Sequence, residues 1–382
     1  MQDQKIGRVQ LLRDLNYRAV FELIAQTGAI SRVEVANQLT LSQPSVSRIV
    51  DTLLQANLVL EGNRVASKAG RRQTLLDINP EAALVAGLSI RRKYIRILIA
   101  DLKGNPIMQE QVERDTTSLQ ALITQIRQLL DEKTQLFASP LVAVCVGILG
   151  SWDSNTHKAR SIPLGYLDGV NLEQLLKEAL TDDILDDAIG VENDVNYAAL
   201  GEYMYGAAQE TNSFFYTSVG SGVGGGLVVH GKLHTGFQGF AGEISFLPIT
   251  SEWKALEELI SFPGIERHAR SHGLDASAEQ VLELARSGDA VAQDIIQTIC
   301  NYFALAMCSI ITVVNPEIIV IGGMIGRYND VLIPHIEKRL VDFVPRVPRI
   351  VGTALEDNAA QRGAVARALE LARAGLITRH LS

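Results

Sequence analysis

Two carboxylates and a glycine corner are the residues of this chain best placed to do chemistry. Asp194 follows a short apolar run, Ala188 to Val191, and opens a helical stretch to Tyr205. A carboxylate at such a junction projects into the crevice at the strand ends, where α/β sheets hold ligands. It can accept hydrogen bonds from hydroxyl groups or take a proton from one. The second carboxylate, Glu243, closes the stretch TSVGSGVGGGLVVHGKLHTGFQGFAGE, Thr217 to Glu243. An apolar run ends there at Val219, and Gly220, Gly222, Gly224, Gly225 and Gly226 follow within seven positions. A second run, Leu227 to His230, leads to a turn at Gly231-Lys232. The pattern predicts a β-hairpin with a glycine corner. Glycine allows positive φ and close approach to a ligand, and successive free N–H groups can nest an anion such as phosphate. The plain alternative is a tight hairpin without a ligand, and the glycines alone weigh both equally. Gly239-Phe240-Ala241-Gly242-Glu243 tips the balance by placing a carboxylate just past the hairpin.

These residues need a scaffold, and 382 residues suffice for two or three domains with cores of their own. Apolar residues make up 47% and charged ones 20%, which excludes a disordered chain. No apolar run of membrane-spanning length is read from the sequence, and MQDQKIGRVQ contains no signal-peptide core. Cys145, Cys300 and Cys308 are scattered in apolar surroundings, so neither a disulfide framework nor a metal set is expected. A reducing cytoplasm is the expected compartment. Charge is uneven: residues 1–76 carry +4 and the remainder −12. A basic head on an acidic body implies that the head alone meets a polyanion.

The head reads as helices. Leu15 to Thr27 has apolar residues at helical spacing and ends at Gly28. Ser31 and Glu34 form a capping box for a helix from Arg32 to Leu39. Ser42 caps a third helix that runs to about Gln55, with Pro44 harmless in its first turn. Two short helices joined by a tight turn form a helix-turn-helix. Gln43, Ser45, Ser47 and Arg48 on the outer face of the third helix suit base edges and phosphates in a major groove. Leu58 to Asn63 and Thr74 to Ile78 read as strands flanking Lys68-Ala69-Gly70-Arg71-Arg72, a wing whose Arg71 and Arg72 reach a minor groove. A small protein-binding module is the alternative for this head. Double-stranded DNA is preferred because charge, spacing and wing coincide.

After Asn79-Pro80 the pattern changes. Ala83–Ile90, Tyr94–Asp101 and Ile107–Val112 form a β-meander, followed by a helix, Leu119–Phe137, and a strand, Leu141–Ile148. Helices and strands then alternate, as in an α/β protein. Trp253–Ser271, Ala276–Arg286 and Ala290–Val314 read as helices, Glu317–Ile321 as a buried strand and Gln361–Ala374 as the closing helix.

Four segments resemble the ROK family of bacterial sugar kinases and repressors. They are Glu192 to Asn196 continuing to Glu202, Gly220 to Gly226, Gly239 to Glu243, and Asn315 to Gly323. The resemblance extends over nearly the whole chain, and the branch with an N-terminal winged helix, which regulates xylose and N-acetylglucosamine genes, matches best. It implies an α/β fold: a winged helix-turn-helix over 1–79, then a two-lobed, actin-like or RNase H-like ATPase-type body. The small lobe would span 80–193, closed by the C-terminal helix 361–382, and the large lobe with its ligand cleft 194–360. It also implies sugar contacts at Asn193, Asp194, Glu243 and Glu257, with the loop Gly147-Ile148-Leu149-Gly150 closing over the ligand.

Departures from the family pattern decide the expected activity. Where the kinases carry Asp-x-Gly-Gly-Thr for metal and phosphate, this chain has Ser89, Arg91, Arg92 and Lys93. Phosphoryl transfer requires held phosphates and a neutralising metal, so no enzymatic activity is expected, Asp194 is a vestigial base, and the glycine loop is retained for packing. Phe246 stands at the family's zinc-binding His, and Thr250 to Lys254 replaces its cysteine knuckle. No metal or other cofactor is expected, and apolar packing around Phe246 and Trp253 is expected instead. With Phe246 and Ile162-Pro163-Leu164 in place of polar contacts, a glucose-type effector fits less well. The resulting expectation is a transcriptional repressor, at least dimeric, that binds an operator and senses a small carbohydrate. The alternatives are a sugar kinase with Asp194 as base, or a regulator whose body binds a protein.

Overall fold

The computed structural model describes residues 2–66, 72–115, 118–180 and 183–381. The head comprises α1 (Gln2–Thr27), β1 (Ile30–Ser31), α2 (Arg32–Gln38), α3 (Gln43–Gln55), β2 (Val59–Ala66) and β3 (Arg72–Ile78). Helix α1 is longer than its apolar spacing predicts. Its Tyr17, Val20, Phe21 and Ile24 form the buried stripe. Ser31 and Glu34 exchange the two hydrogen bonds of a capping box, and Ser42 caps α3. Val46, Ile49, Val50 and Leu53 pin α3 to the core, which turns Gln43 and Arg48 outward. The three strands pair antiparallel in the order β1-β3-β2, the sheet of a winged helix. Lys68 to Arg71 lie outside the described residues, and so does the side chain of Arg72.

The small lobe contains β4 (Leu84–Ile90), β5 (Tyr94–Asp101), β6 (Pro106–Glu113), α4 (Leu119–Thr134), β7 (Leu141–Ile148), the hairpin β8 (Ser151–Asp153) and β9 (Lys158–Arg160), α5 (Leu172–Ala179) and β10 (Ile189–Asn193). Its sheet runs β10-β7-β4-β5-β6, a meander extended by two parallel strands. The large lobe contains α6 (Asp194–Tyr205), β11 (Ser213–Val219), β12 (Val223–Val229), β13 (Lys232–Leu233), α7 (Leu256–Ile260), α8 (Phe262–Ser271), α9 (Ala278–Arg286), α10 (Ala290–Val314), β14 (Ile318–Gly322), α11 (Asn329–Leu340) and β15 (Arg349–Gly352). Its sheet, β13-β12-β11-β14-β15, repeats the same plan. The final helix, α12 (Ala359–Leu381), covers the small-lobe strands and packs along α6, which reaches both sheets. The two helices touch backbone to backbone, because a Cβ on Gly363 or Gly201 would overlap the facing carbonyl.

One helix expectation is corrected. Trp253 to Ser271 is not one helix: Ser261 adopts an extended conformation, ends α7 and caps α8, with Pro263 in the first turn. Trp253 itself has φ +62. A second correction concerns α10, which is long and apolar enough to cross a membrane by length and composition alone. It packs against α7, α8, α9 and α11 in the large-lobe core.

The head is not separated from the body by a bare linker. A single hydrophobic cluster contains Tyr17, Phe21, Ile24 and Ile78 of the head, Val85 and Leu98 of the small lobe, and Ala368, Ala372 and Leu376 of α12. Lys103 Nζ pairs with Asp77 at 2.7 Å across this seam. Arg373 of α12 faces Glu22 of α1 at 3.6 Å and donates to the Leu102 carbonyl.

Candidate functional site

The cleft is built where β10 passes into α6. Asn193 caps α6, accepting from the N–H groups of Val195 and Asn196, and its Nδ2 donates to the Gly150 carbonyl at 2.7 Å. Both ends of the Asn193 amide are thus used to fix the helix start to the Gly150 loop. Gly150 has φ +125, and a Cβ there would overlap Arg160. Asp194, the first residue of α6, is 2% exposed.

Arg91 is the partner of Asp194. Its Nη1 lies 2.6 Å from Oδ2, an ion-pair contact not aligned as a hydrogen bond. Its Nε donates to Ser89 at the end of β4. Burial pushes the Asp194 carboxyl up, and the guanidinium opposes that push. Sequence reasoning placed Arg91 at the family's metal and phosphate turn but not as the partner of Asp194, 103 positions away.

The other carboxylates crowd the same place. Glu243 is half-buried, and burial together with Asp194, Glu257 and Glu192 pushes it up to about 7. Glu192 also rises to about 7 through burial, although it accepts from Asn196 and the Asn193 N–H. Glu257 leaves α7 to accept the Val223 N–H at 2.9 Å. That amide closes the glycine turn, so the chain's own carboxylate stands where an anion nest would need a free donor.

The glycine corner is a packing device. Gly220, Gly222, Gly224, Gly225 and Gly226 have no positive φ. Gly224 to Gly226 lie within β12, where a Cβ would strike Val195, the Phe215 ring or Ala199. The turn that does need positive φ is His230-Gly231, between β12 and β13.

The expected apolar packing around Phe246 and Trp253 is absent. Phe246 is 56% exposed and Trp253 79% exposed. The replacement for the knuckle is short and carries no buried side chain from Thr250 to Lys254, so it leaves both rings largely exposed. Among the described residues, no group of three or more His, Cys, Asp or Glu is placed to hold a metal ion. A cavity of about 460 Å³ lies elsewhere in the small lobe, between His157, Glu173, Lys177 and Asp187, and His157 and Glu173 pair at 2.9 Å.

In the head, Gln43 and Arg48 are exposed, whereas Ser45 and Ser47 are half-buried. The Ser45 hydroxyl lies 2.8 Å from that of Ser42 within the cap.

The model of the ROK family matches residues 85–370, three quarters of the chain. The chain belongs to the ROK family. It is 26% identical to the DNA-binding transcriptional dual regulator NagC of Escherichia coli K12, over 99% of this chain and 98% of that protein. It is 24% identical to the xylose repressor of Bacillus spizizenii, over 82% and 83%. In fold it is similar to a ROK family transcriptional regulator homologous to the E. coli MLC protein, with a TM-score of 0.84 at 22% identity over 97% of this chain and 99% of that one. The ROK hexokinase of Thermus thermophilus is also similar, with a TM-score of 0.63 at 21% identity over 74% and 97%. The likeness to this kinase rests on the shared body fold.

Proposed function

We propose that this chain is a DNA-binding transcriptional repressor whose cleft senses a neutral carbohydrate and does not phosphorylate it. One juxtaposition carries the reading: a winged helix with an outward α3 shares its core with a body whose would-be base, Asp194, is paired to Arg91. A relative named as a transcriptional regulator over 99% of the chain and one named as a repressor over 82% of it support it. Carboxylates accept several hydroxyl hydrogen bonds, so Glu243 and Asp194 suit a polyhydroxylated ligand. The same charges disfavour a triphosphate, and nothing replaces the metal-organising carboxylate at Ser89. The operator is double-stranded DNA, read by a dimer or larger assembly in a reducing cytoplasm.

The head and the small lobe move as one body in this account. Any change in lobe closure would then change the spacing of two heads on DNA. The test is binding to a duplex selected from a random library. Arg48→Ala and Ser47→Ala are each expected to weaken specific binding by about 1–3 kcal/mol where they contact a base. Arg71→Ala with Arg72→Ala flattens the salt dependence. Unchanged affinity and salt slope in these variants would remove the DNA assignment.

A further inference from the structure

Phe240 and Phe246 lie three residues to either side of Glu243, a cleft carboxylate with no hydrogen bond or ion pair among the described residues. Glu243 precedes a 3₁₀ turn, Ile244–Phe246, in which its N–H donates to the Phe240 carbonyl and its carbonyl accepts from Phe246. The rings of Phe240 and Phe246 meet, with centroids 5.6 Å apart and an interplanar angle of 30°. Both remain 56% exposed. The same loop is held to the small lobe: Asn155 donates to the Phe237 carbonyl, and Gly239 lies against the Trp152 backbone. The ring pair therefore stands at the seam between the lobes. Ile162, 89% exposed, lies one residue from Ser161, whose hydroxyl donates to the Leu149 carbonyl of the loop carrying Gly150.

We infer that this strip is a subsite for a second ring of the ligand, so that the cleft takes a glycoside or disaccharide rather than a bare monosaccharide. Exposed aromatic rings gain most by covering an apolar face. A sugar held by its hydroxyl groups on Glu243 presents its neighbouring ring, whether sugar or aryl, to Phe240 and Phe246. Ligand sites commonly combine an apolar wall with a few placed polar groups, and here the two rings lie three residues to either side of the carboxylate in the chain. The inference rests on the carbohydrate-sensing reading above.

The experiment is calorimetry on the full-length protein with methyl glycosides, phenyl glycosides and β-1,4 disaccharides of glucose, xylose and N-acetylglucosamine. At least one phenyl glycoside or disaccharide is expected to bind about tenfold more tightly than its methyl counterpart. Phe240→Ala and Phe246→Ala should reduce that ratio toward one while leaving methyl-glycoside binding in place. Both rings are exposed, so the melting temperature should not change, which separates loss of the subsite from loss of the fold. Equal binding of methyl and two-ring ligands, or a ratio unchanged in both variants, overturns the subsite but leaves the carbohydrate reading standing. Binding of none of these saccharides overturns both.

Discussion

Each lobe opens with a hairpin at the same place in the same sheet plan, and the two turns are made of opposite materials. Between β4 and β5 the turn is Arg91-Arg92-Lys93, and between β11 and β12 it is Gly220-Ser221-Gly222. A kinase of this fold needs both turns free for phosphate and metal. Here each is engaged by a group from the chain itself. Arg91 reaches from the first turn to Asp194, and Glu257 reaches from α7 to the N–H that closes the second. The duplicated scaffold has kept its geometry while its two anion-facing corners carry internal contacts. Fold and activity are separable in this way because chemistry resides in the sites and not in the sheet plan.

The sharpest way to break this comparison is to add side-chain volume on the glycine side. Gly225→Val would drive methyl groups into the Phe215 ring and the Gly242 carbonyl, and the expected loss is about 3 kcal/mol by chemical denaturation. The exposed Arg92 of the other turn provides the control, with Arg92→Gly expected to change stability by about 0.5 kcal/mol or less. A small effect at Gly225 would mean that the corner is open for a ligand and not packed.

The Arg91–Asp194 contact is the next largest. Arg91→Met leaves Asp194 buried without its cation, so its carboxyl rises further. The expected cost is about 2 kcal/mol at pH 8, below the range for a fully buried pair because Arg91 is 31% exposed. The loss should shrink toward pH 5, as the raised Asp194 carboxyl of the folded variant takes up a proton and no longer needs the cation. Equal destabilisation at both pH values would point to lost packing instead of lost charge compensation.

Glu243 gives a smaller, pH-signed effect. Its folded carboxyl holds a proton up to about pH 7, whereas the unfolded one loses it near 4.5. The folded state therefore binds more protons between those values, and stability falls as pH rises through that window. Glu243→Gln should raise stability by about 1–2 kcal/mol at pH 8 and change it little at pH 4.5. Thermal melts at the two pH values check this, and a destabilising Glu243→Gln at pH 8 would show that the carboxylate has a partner.

Local signals made much of this molecule legible. The capping box at Ser31, the cap at Ser42 and the strand-to-helix step at Asp194 are encoded within a few residues, and the structure forms each one. Long-range contacts were not legible. Arg91 meets Asp194 and Glu257 meets Val223 only through the packing of the lobes, and neither pair has a local spacing. The break at Ser261 was missed because its flanks carry helix-compatible apolar spacing, so only the Ser-Phe-Pro sequence marks a new cap. Apolar packing around Phe246 and Trp253 was expected in place of the family's zinc site. Exposure of both follows from the short loop that replaces the knuckle, a property that hydropathy does not report.

The most direct measurement follows DNA and ATP in one vessel. Full-length protein bound to a labelled operator duplex, with ATP and Mg²⁺ present, is titrated with the tightest saccharide of the panel while anisotropy and ADP are recorded together. The saccharide is expected to shift DNA affinity while ADP stays at background. Glu243→Ala should bind DNA as well as wild type without saccharide and no longer respond to it. Saccharide-dependent ADP release that disappears in Asp194→Ala would contradict the account and make this chain a kinase.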